Sequence, residues 1–257
     1  MINNKISFIG SGRITKIMLN ALSKNNVSLK NIYVYDINKE ELEKTKKAFS
    51  EINISTDIKT LFENDIIFIS VHPPVIINIL KEIKDFLKPE SIIISLAPKI
   101  NIDTISKELN FSKIIRTIPN ASSIIGMGYN PIVYAKCIKD DDKKMIDEIF
   151  SIFGKHFEVE ENKLEAYAIL TAMGPTYFWF QLNEIESIVK NFGLNKEEIQ
   201  EGIKNMLNGM ITTLYDSNLK YEEVIDLIHS KPLLNDEQTI RNIFKTNLEN
   251  IYSKIKP

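Results

Sequence analysis

Along the first half of the chain, short runs of consecutive apolar residues alternate with stretches in which apolar positions recur every three or four residues. Residues 5–9, 31–35, 65–71, 91–96 and 113–118 have the first pattern, and 52–56 supplies a further strand. Runs of this length, rich in branched and aromatic side chains, predict strands buried on both faces. Helical spacing covers 13–19, 40–49 and 75–86, with a short helix between the third and fourth strands. A strand at 131–135, a helix opening at Asp140, Asp141 and Asp142, and a last strand near 156–159 complete this half. Such alternation with short links predicts an α/β fold with a doubly wound parallel sheet. From residue 161 onward the spacing is helical throughout, over 164–189, 196–216, 221–229 and 236–254. Gly174-Pro175 places a break in the first of these helices. The boundary is expected near Glu160, giving an α/β domain over 1–160 and an all-helical domain over 161–257. One helical layer with this many apolar faces struggles to bury itself alone, which predicts a dimerisation surface.

The first strand runs directly into Gly10-Ser11-Gly12, and the helix follows at Arg13 and Ile14. Strand, glycine turn and helix together form the context in which a dinucleotide-binding fingerprint carries weight. Gly10 allows the tight turn. Gly12 lets the backbone approach a pyrophosphate at the helix N-terminus, where free N–H groups favour anions. Thr15 occupies the third position in place of glycine or alanine, so helix and strand sit slightly further apart there. Asp36, closing the second strand, is placed to accept hydrogen bonds from the adenosine ribose, and either Asp36 or Asn38 can also cap the next helix. An aspartate repels a 2′-phosphate, so the cofactor, NAD(H) or NADP(H), leans toward NAD(H); Lys39 nearby softens that preference. The fourth strand ends in His72-Pro73-Pro74, where the prolines launch a helix at the strand end that ligands favour.

At 44% hydrophobic and 26% charged residues, the 257-residue chain is a soluble globular protein rather than a disordered one. A net charge of −2 gives no global attraction to nucleic acid or an anionic membrane, and no apolar run is long enough to span a bilayer. The early first strand leaves no room for a signal peptide, and the single cysteine, Cys137, permits no intrachain disulfide; both fit a cytoplasmic protein. Cys137 itself is expected to be a small, semi-buried hydrophobe beside a strand. His72, His156 and His229 lack metal-ligand spacing and no serine–histidine arrangement stands out, so neither a metal centre nor a hydrolase is expected.

Four segments together resemble the pyrroline-5-carboxylate reductase family. They are the glycine turn; Ser70-Val71-His72-Pro73, similar to that family's V-K-P turn with histidine for lysine; Arg116-Thr117-Ile118-Pro119-Asn120, similar to R-x-M-P-N; and Leu170-Thr171-Ala172-Met173-Gly174-Pro175-Thr176-Tyr177, similar to L-S-G-S-G-P-A-Y. Their order and spacing agree from Lys5 to about Ser230. The resemblance implies a Rossmann domain followed by a helical domain that interlocks with its twin, and hydride transfer from NAD(P)H to the C=N carbon of 1-pyrroline-5-carboxylate, giving proline. The cofactor carries most of that chemistry while the protein positions the imine and excludes water. It implies that Gly10, Ser11, Gly12, Arg13 and Ile14 wrap the pyrophosphate. Asp36, Ile37 and Asp57 would border the adenosine, and Ser70, Val71, His72, Pro73, Ala97 and Asn120 would line the nicotinamide. Asn120 also faces the substrate side with Thr171 and Ser230, and Gly174, Pro175 and Thr176 open the helix whose N–H groups hold the substrate carboxylate. For His72 the alternative is a capping or solvated residue, and for Gly174-Pro175 an ordinary helix break.

The chain departs from the family pattern twice. Thr171-Ala172-Met173 replaces S-G-S, putting a bulky apolar residue beside the proposed pocket. The family's S-P-G-G-x-T loop, whose threonine holds the imine nitrogen, has no counterpart: the chain reads His229-Ser230-Lys231-Pro232-Leu233-Leu234, and Thr239 lies too far on. These departures leave two further readings, a family reductase with a different imine or keto substrate and a non-catalytic dinucleotide-binding module. The 3-hydroxyisobutyrate dehydrogenases have a similar fold, but their catalytic lysine would fall at Phe178; the coenzyme F420 reductases resemble the chain on fold grounds only.

Overall fold

The computed structural model describes residues 4–257. Its centre is an eight-stranded sheet, made of β1 (Ile6–Ile9), β2 (Ile32–Tyr35), β3 (Asn53–Ser55), β4 (Ile66–Ile69), β5 (Ile92–Ser95), β6 (Ile114–Thr117), β7 (Gly128–Tyr134) and β8 (Gly154–Glu158). Their spatial order is β3-β2-β1-β4-β5-β6-β7-β8, parallel from β3 through β6, with β7 antiparallel to β6 and β8 parallel to β7. The six parallel strands therefore have the 3-2-1-4-5-6 order of the doubly wound nucleotide-binding fold.

Both faces of this sheet are covered, and strand periodicity shows how. Along β4, Ile66 and Phe68 pack into one cluster with Phe8, Met18, Leu22 and Phe150, whereas Ile67 and Ile69 pack into another with Ile76, Leu80, Ile105 and Leu109. The first cluster lies under helices α1 (Arg13–Lys24) and, later in the chain, Asp140–Phe153; the second lies under two helices that follow β4 and β5. In chain order these and the remaining helix of this half are α2 (Lys39–Ala48), α3 (Pro73–Ile83), α4 (Ile102–Leu109) and α5 (Asp140–Phe153). Phe8 and Phe68 stack at 4.8 Å on adjacent strands. Full burial on both faces is why these strands carry unbroken apolar runs.

The sequence pattern places every strand of this sheet, although β7 begins at Gly128, ahead of the 131–135 run. Helix α4 lies outside the helical stretches expected above, although Ile102, Ile105 and Leu109 recur at helical spacing; its ends are set by caps. Asn101 accepts from the Thr104 N–H at 2.8 Å, and Asn110 closes the helix in the left-handed conformation. Cys137 is exposed rather than semi-buried, because it follows β7 in a turn; its thiol reaches the Ser112 carbonyl at 2.9 Å.

The chain forms two compact units, one ending at Met173 and rejoined by Ile251–Pro257, the other Gly174–Asn250. The expected boundary near Glu160 falls earlier than this division. Residues beyond it stay with the first unit because Leu164 and Ala168 are buried against Ile118 and Val133, with Ile255 packed on the same cluster. This segment comprises α6 (Leu164–Tyr167) and a π turn over Ala168–Ala172. The break expected at Gly174-Pro175 takes the form of that π turn and a fresh start of α7 (Gly174–Lys190). The second unit continues with α8 (Lys196–Asp216), α9 (Tyr221–Asp226) and most of α10 (Glu237–Ile255). Among its residues only Gly174 and Ile199 are buried, while Trp179, Phe180, Phe192 and Tyr215 are more than half exposed. Among the described residues no helix is long and apolar enough to cross a membrane.

Candidate active site

The strand order reverses between β1 and β4, and doubly wound sheets bind ligands in the crevice that such a reversal opens at the carboxyl ends of the strands. The chain leaves β1 through Gly10, at φ +108°, and a Cβ there would lie 2.8 Å from the Ser70 carbonyl oxygen. Any other residue would be both strained and obstructed. Its N–H donates to the Tyr35 carbonyl at 2.7 Å, tying the turn to the end of β2. Gly12 is different. It has ordinary negative φ, and a Cβ on it would meet nothing within 4 Å. It is the N-cap residue of α1, and no side chain caps that helix, so its first-turn N–H groups and the open space at Gly12 suit a pyrophosphate. Arg13 beside it is exposed and Ile14 half-buried.

Ser11 is fully buried, and both its N–H and its hydroxyl donate to Asp36 Oδ2 at 2.8 Å. Asp36 Oδ1 accepts from the Asn38 N–H at 2.9 Å. Asn38, not Asp36, caps α2, accepting from the N–H groups of Glu40 and Glu41. The carboxylate is thereby held against the glycine turn. Thr15 is also fully buried; its hydroxyl donates to the Gly10 carbonyl at 2.6 Å and lies 2.8 Å from the Ser70 hydroxyl. Ser70 in turn donates to the Ile9 and Gly10 carbonyls at 2.9 and 3.0 Å. Threonine at the third fingerprint position thus joins α1, the turn and the end of β4 through polar contacts.

At the end of β2 the Tyr35 phenol is pushed up, first by burial and then by the negative charges of Glu82, Asp36 and Asp57. Asp36 and Asp57 follow the carboxyl ends of β2 and β3, whereas Glu82 belongs to the last turn of α3, away from the crevice. Asp57 caps a 3-10 turn by accepting from the Lys59 N–H at 3.0 Å, and Ile37 is 87% exposed. At the end of β4, Val71 and Pro73 are half-buried. His72 is exposed, and as the N-cap residue of α3 it makes no capping bond with its side chain.

Ala97, after β5, and Asn120, after β6, are buried at the same edge. The Asn120 amide nitrogen donates to the Tyr129 carbonyl at 3.3 Å, and its Oδ1 has no partner among the described residues. The Arg-Thr-Ile-Pro-Asn segment also contributes a residue without a sequence-assigned role: Arg116 is fully buried and pairs with Glu161 and Glu165.

The structure thus gathers residues Gly10 to Ile14, Asp36, Ser70, Val71, His72, Ala97 and Asn120 along one edge of the sheet. Thr171 belongs to the π turn of the first unit, and its hydroxyl donates back to the Tyr167 carbonyl at 2.9 Å. Gly174, Pro175 and Thr176 open α7 in the second unit, where Gly174 is buried. Ser230 is exposed in the connection between α9 and α10 over residues 227–236, where a turn follows in which the Leu234 N–H donates to the Lys231 carbonyl.

A family model described as "NADP oxidoreductase coenzyme F420-dependent" matches residues 5–99, the part of the chain that carries the glycine turn. The pyrroline-5-carboxylate reductase of Staphylococcus epidermidis is 24% identical over 233 residues, spanning 88% of this chain and 85% of its own. Among solved structures, the Plasmodium falciparum pyrroline carboxylate reductase with NADP bound superposes with a TM-score of 0.79 at 21% identity, covering 99% of this chain and 96% of that one. The 1-pyrroline-5-carboxylate reductase of Streptococcus pyogenes superposes with a TM-score of 0.81 at 16% identity, covering 98% of both chains.

Proposed function

We propose that this chain, which belongs to the pyrroline-5-carboxylate reductase family as a distant member, reduces the C=N bond of 1-pyrroline-5-carboxylate to give proline, using NAD(P)H. The observation that carries this reading is the turn at Gly10-Ser11-Gly12: a glycine at positive φ, a buried serine locked to Asp36 and an uncapped helix start, at the strand reversal of the sheet. When bound, the dinucleotide would supply the hydride. The first-turn N–H groups of α1 would hold its pyrophosphate, Asp36 its adenosine ribose, and Ala97, Asn120 and the Ser70–Pro73 turn its nicotinamide end. The helix start at Gly174, Pro175 and Thr176 would take the substrate carboxylate. A protonated imine is already electrophilic, so the chain needs to orient it and keep water out rather than provide a nucleophile.

The cofactor reading leans toward NADH. Asp36 and Asp57, which follow the carboxyl ends of the adjacent strands β2 and β3, would put negative charge beside a 2′-phosphate on the adenosine ribose. The apolar faces left exposed on α7 and α8 are read as the seam of a homodimer. A second reading, a bulkier or more apolar imine, is favoured by Met173, by the Thr171 hydroxyl turned back onto its own helix, and by the absence of the threonine loop. The test is a comparison of kcat/KM for 1-pyrroline-5-carboxylate with that for larger cyclic imines at saturating NADH. The leading reading requires the five-membered imino acid to win; preference for a larger ring without a carboxylate contradicts it.

A further inference from the structure

Arg116 is the largest fully buried side chain among the described residues. A guanidinium remains charged at any ordinary pH, and removing it from water is unfavourable unless it is paired. Here Nη1 donates to Glu161 Oε1 at 2.7 Å and Nη2 to Glu165 Oε1 at 2.5 Å, with the Ala97 carbonyl at 3.5 Å from Nη2. The same two carboxylate oxygens also hold main chain. Glu165 Oε1 accepts from the Lys99 N–H at 3.1 Å, and Glu161 Oε1 from the Ile102 N–H at 2.8 Å. One buried cation therefore grips, through two acids, the middle of the loop that leaves β5 and the first residue of α4 that closes it. Within that loop Lys99 sits at φ +75°, a left-handed conformation that a non-glycine residue keeps only when its surroundings hold it. Filling space alone would be served as well by apolar side chains, since a buried ion pair is often no more stabilising than a hydrophobic substitute.

We propose that Arg116, with Glu161 and Glu165, is a positioning cluster that sets the Ala97–Lys99 loop against the nicotinamide half of the dinucleotide. The proposal rests on the dinucleotide reading above. Arg116 itself touches neither cofactor nor substrate; it acts through the loop. The cluster lies at the end of β5 and β6, away from the glycine turn and Asp36, so its influence is confined to the nicotinamide end.

Binding of NADH and of ADP-ribose, which lacks the nicotinamide, distinguishes this role from a merely structural one. In Glu165→Gln the Kd for NADH, measured by fluorescence titration, is expected to rise about five- to tenfold, with the Kd for ADP-ribose unchanged. Lys99→Gly, which frees the loop without disturbing the buried charges, is expected to shift NADH in the same direction and to decide the matter if Glu165→Gln does not fold. Equal weakening of both ligands, or unchanged NADH affinity in a folded variant, overturns the proposal. A wild-type protein that binds NADH, NADPH and ADP-ribose not at all overturns the dinucleotide reading itself, which is a separate and recognisable result.

Discussion

At the scale of single residues, Gly10 and Gly12 share one turn but answer to different constraints. Gly10→Ala puts a Cβ 2.8 Å from the Ser70 carbonyl at a φ of +108°. It is expected to destabilise the fold by about 2–3 kcal/mol, seen as a lower midpoint in urea unfolding. Gly12→Ala meets no protein atom, so its unfolding midpoint is expected to stay put while dinucleotide affinity falls about tenfold; a loss of stability with binding intact would contradict the assignment. Asp36→Ala removes the acceptor of two Ser11 hydrogen bonds and the proposed ribose partner. NADH affinity is expected to fall by about ten- to a hundredfold, as for a lost hydrogen bond to a charged group, with NADPH affected less. An unchanged NADH-to-NADPH ratio would refute the role. The glycines and Asp36 were legible because their signal is local, a strand end followed by a turn. The Ser11–Asp36 lock and the pairing of Arg116 with Glu161 and Glu165 were not, because partners far apart in sequence leave no periodic trace.

At the scale of elements, strands announce themselves wherever the sheet is covered on both faces. Ile66–Ile69 is unbroken apolar sequence, and its residues divide between the two clusters by strict alternation. Helix α4 carries its apolar period on only three residues, Ile102, Ile105 and Leu109, and Asn101 and Asn110 mark its ends through capping chemistry that single residues carry. The helical segment beyond Glu160 stays with the sheet because Leu164 and Ala168 find partners in Ile118 and Val133, a packing outcome that composition does not reveal. Phe68 is fully buried, stacked on Phe8 and tilted against Phe150. Phe68→Ala is expected to cost about 3–5 kcal/mol in denaturant unfolding, through the cavity it leaves at the centre of β4. A loss under about 1 kcal/mol would mean that the core collapses around the site.

At the scale of the whole molecule, the contrast is between a sheet core with fully buried strands and a helical unit in which almost nothing is buried. On the homodimer seam proposed above, Phe180→Asp is expected to shift a dimer toward monomer in light scattering without lowering the affinity for NADH. A wild-type protein that is monomeric at micromolar concentration would contradict that reading. The central claim, that the crevice at the glycine turn delivers a hydride to a cyclic imine, is tested most directly by following the label. Incubated with 1-pyrroline-5-carboxylate and NADH stereospecifically deuterated at C4 on either face, the protein is predicted to oxidise the cofactor and to place deuterium at C5 of the proline formed, from one face only. Cofactor that binds but is not oxidised in the presence of this imine, or oxidation that leaves proline unlabelled from both faces, would contradict it.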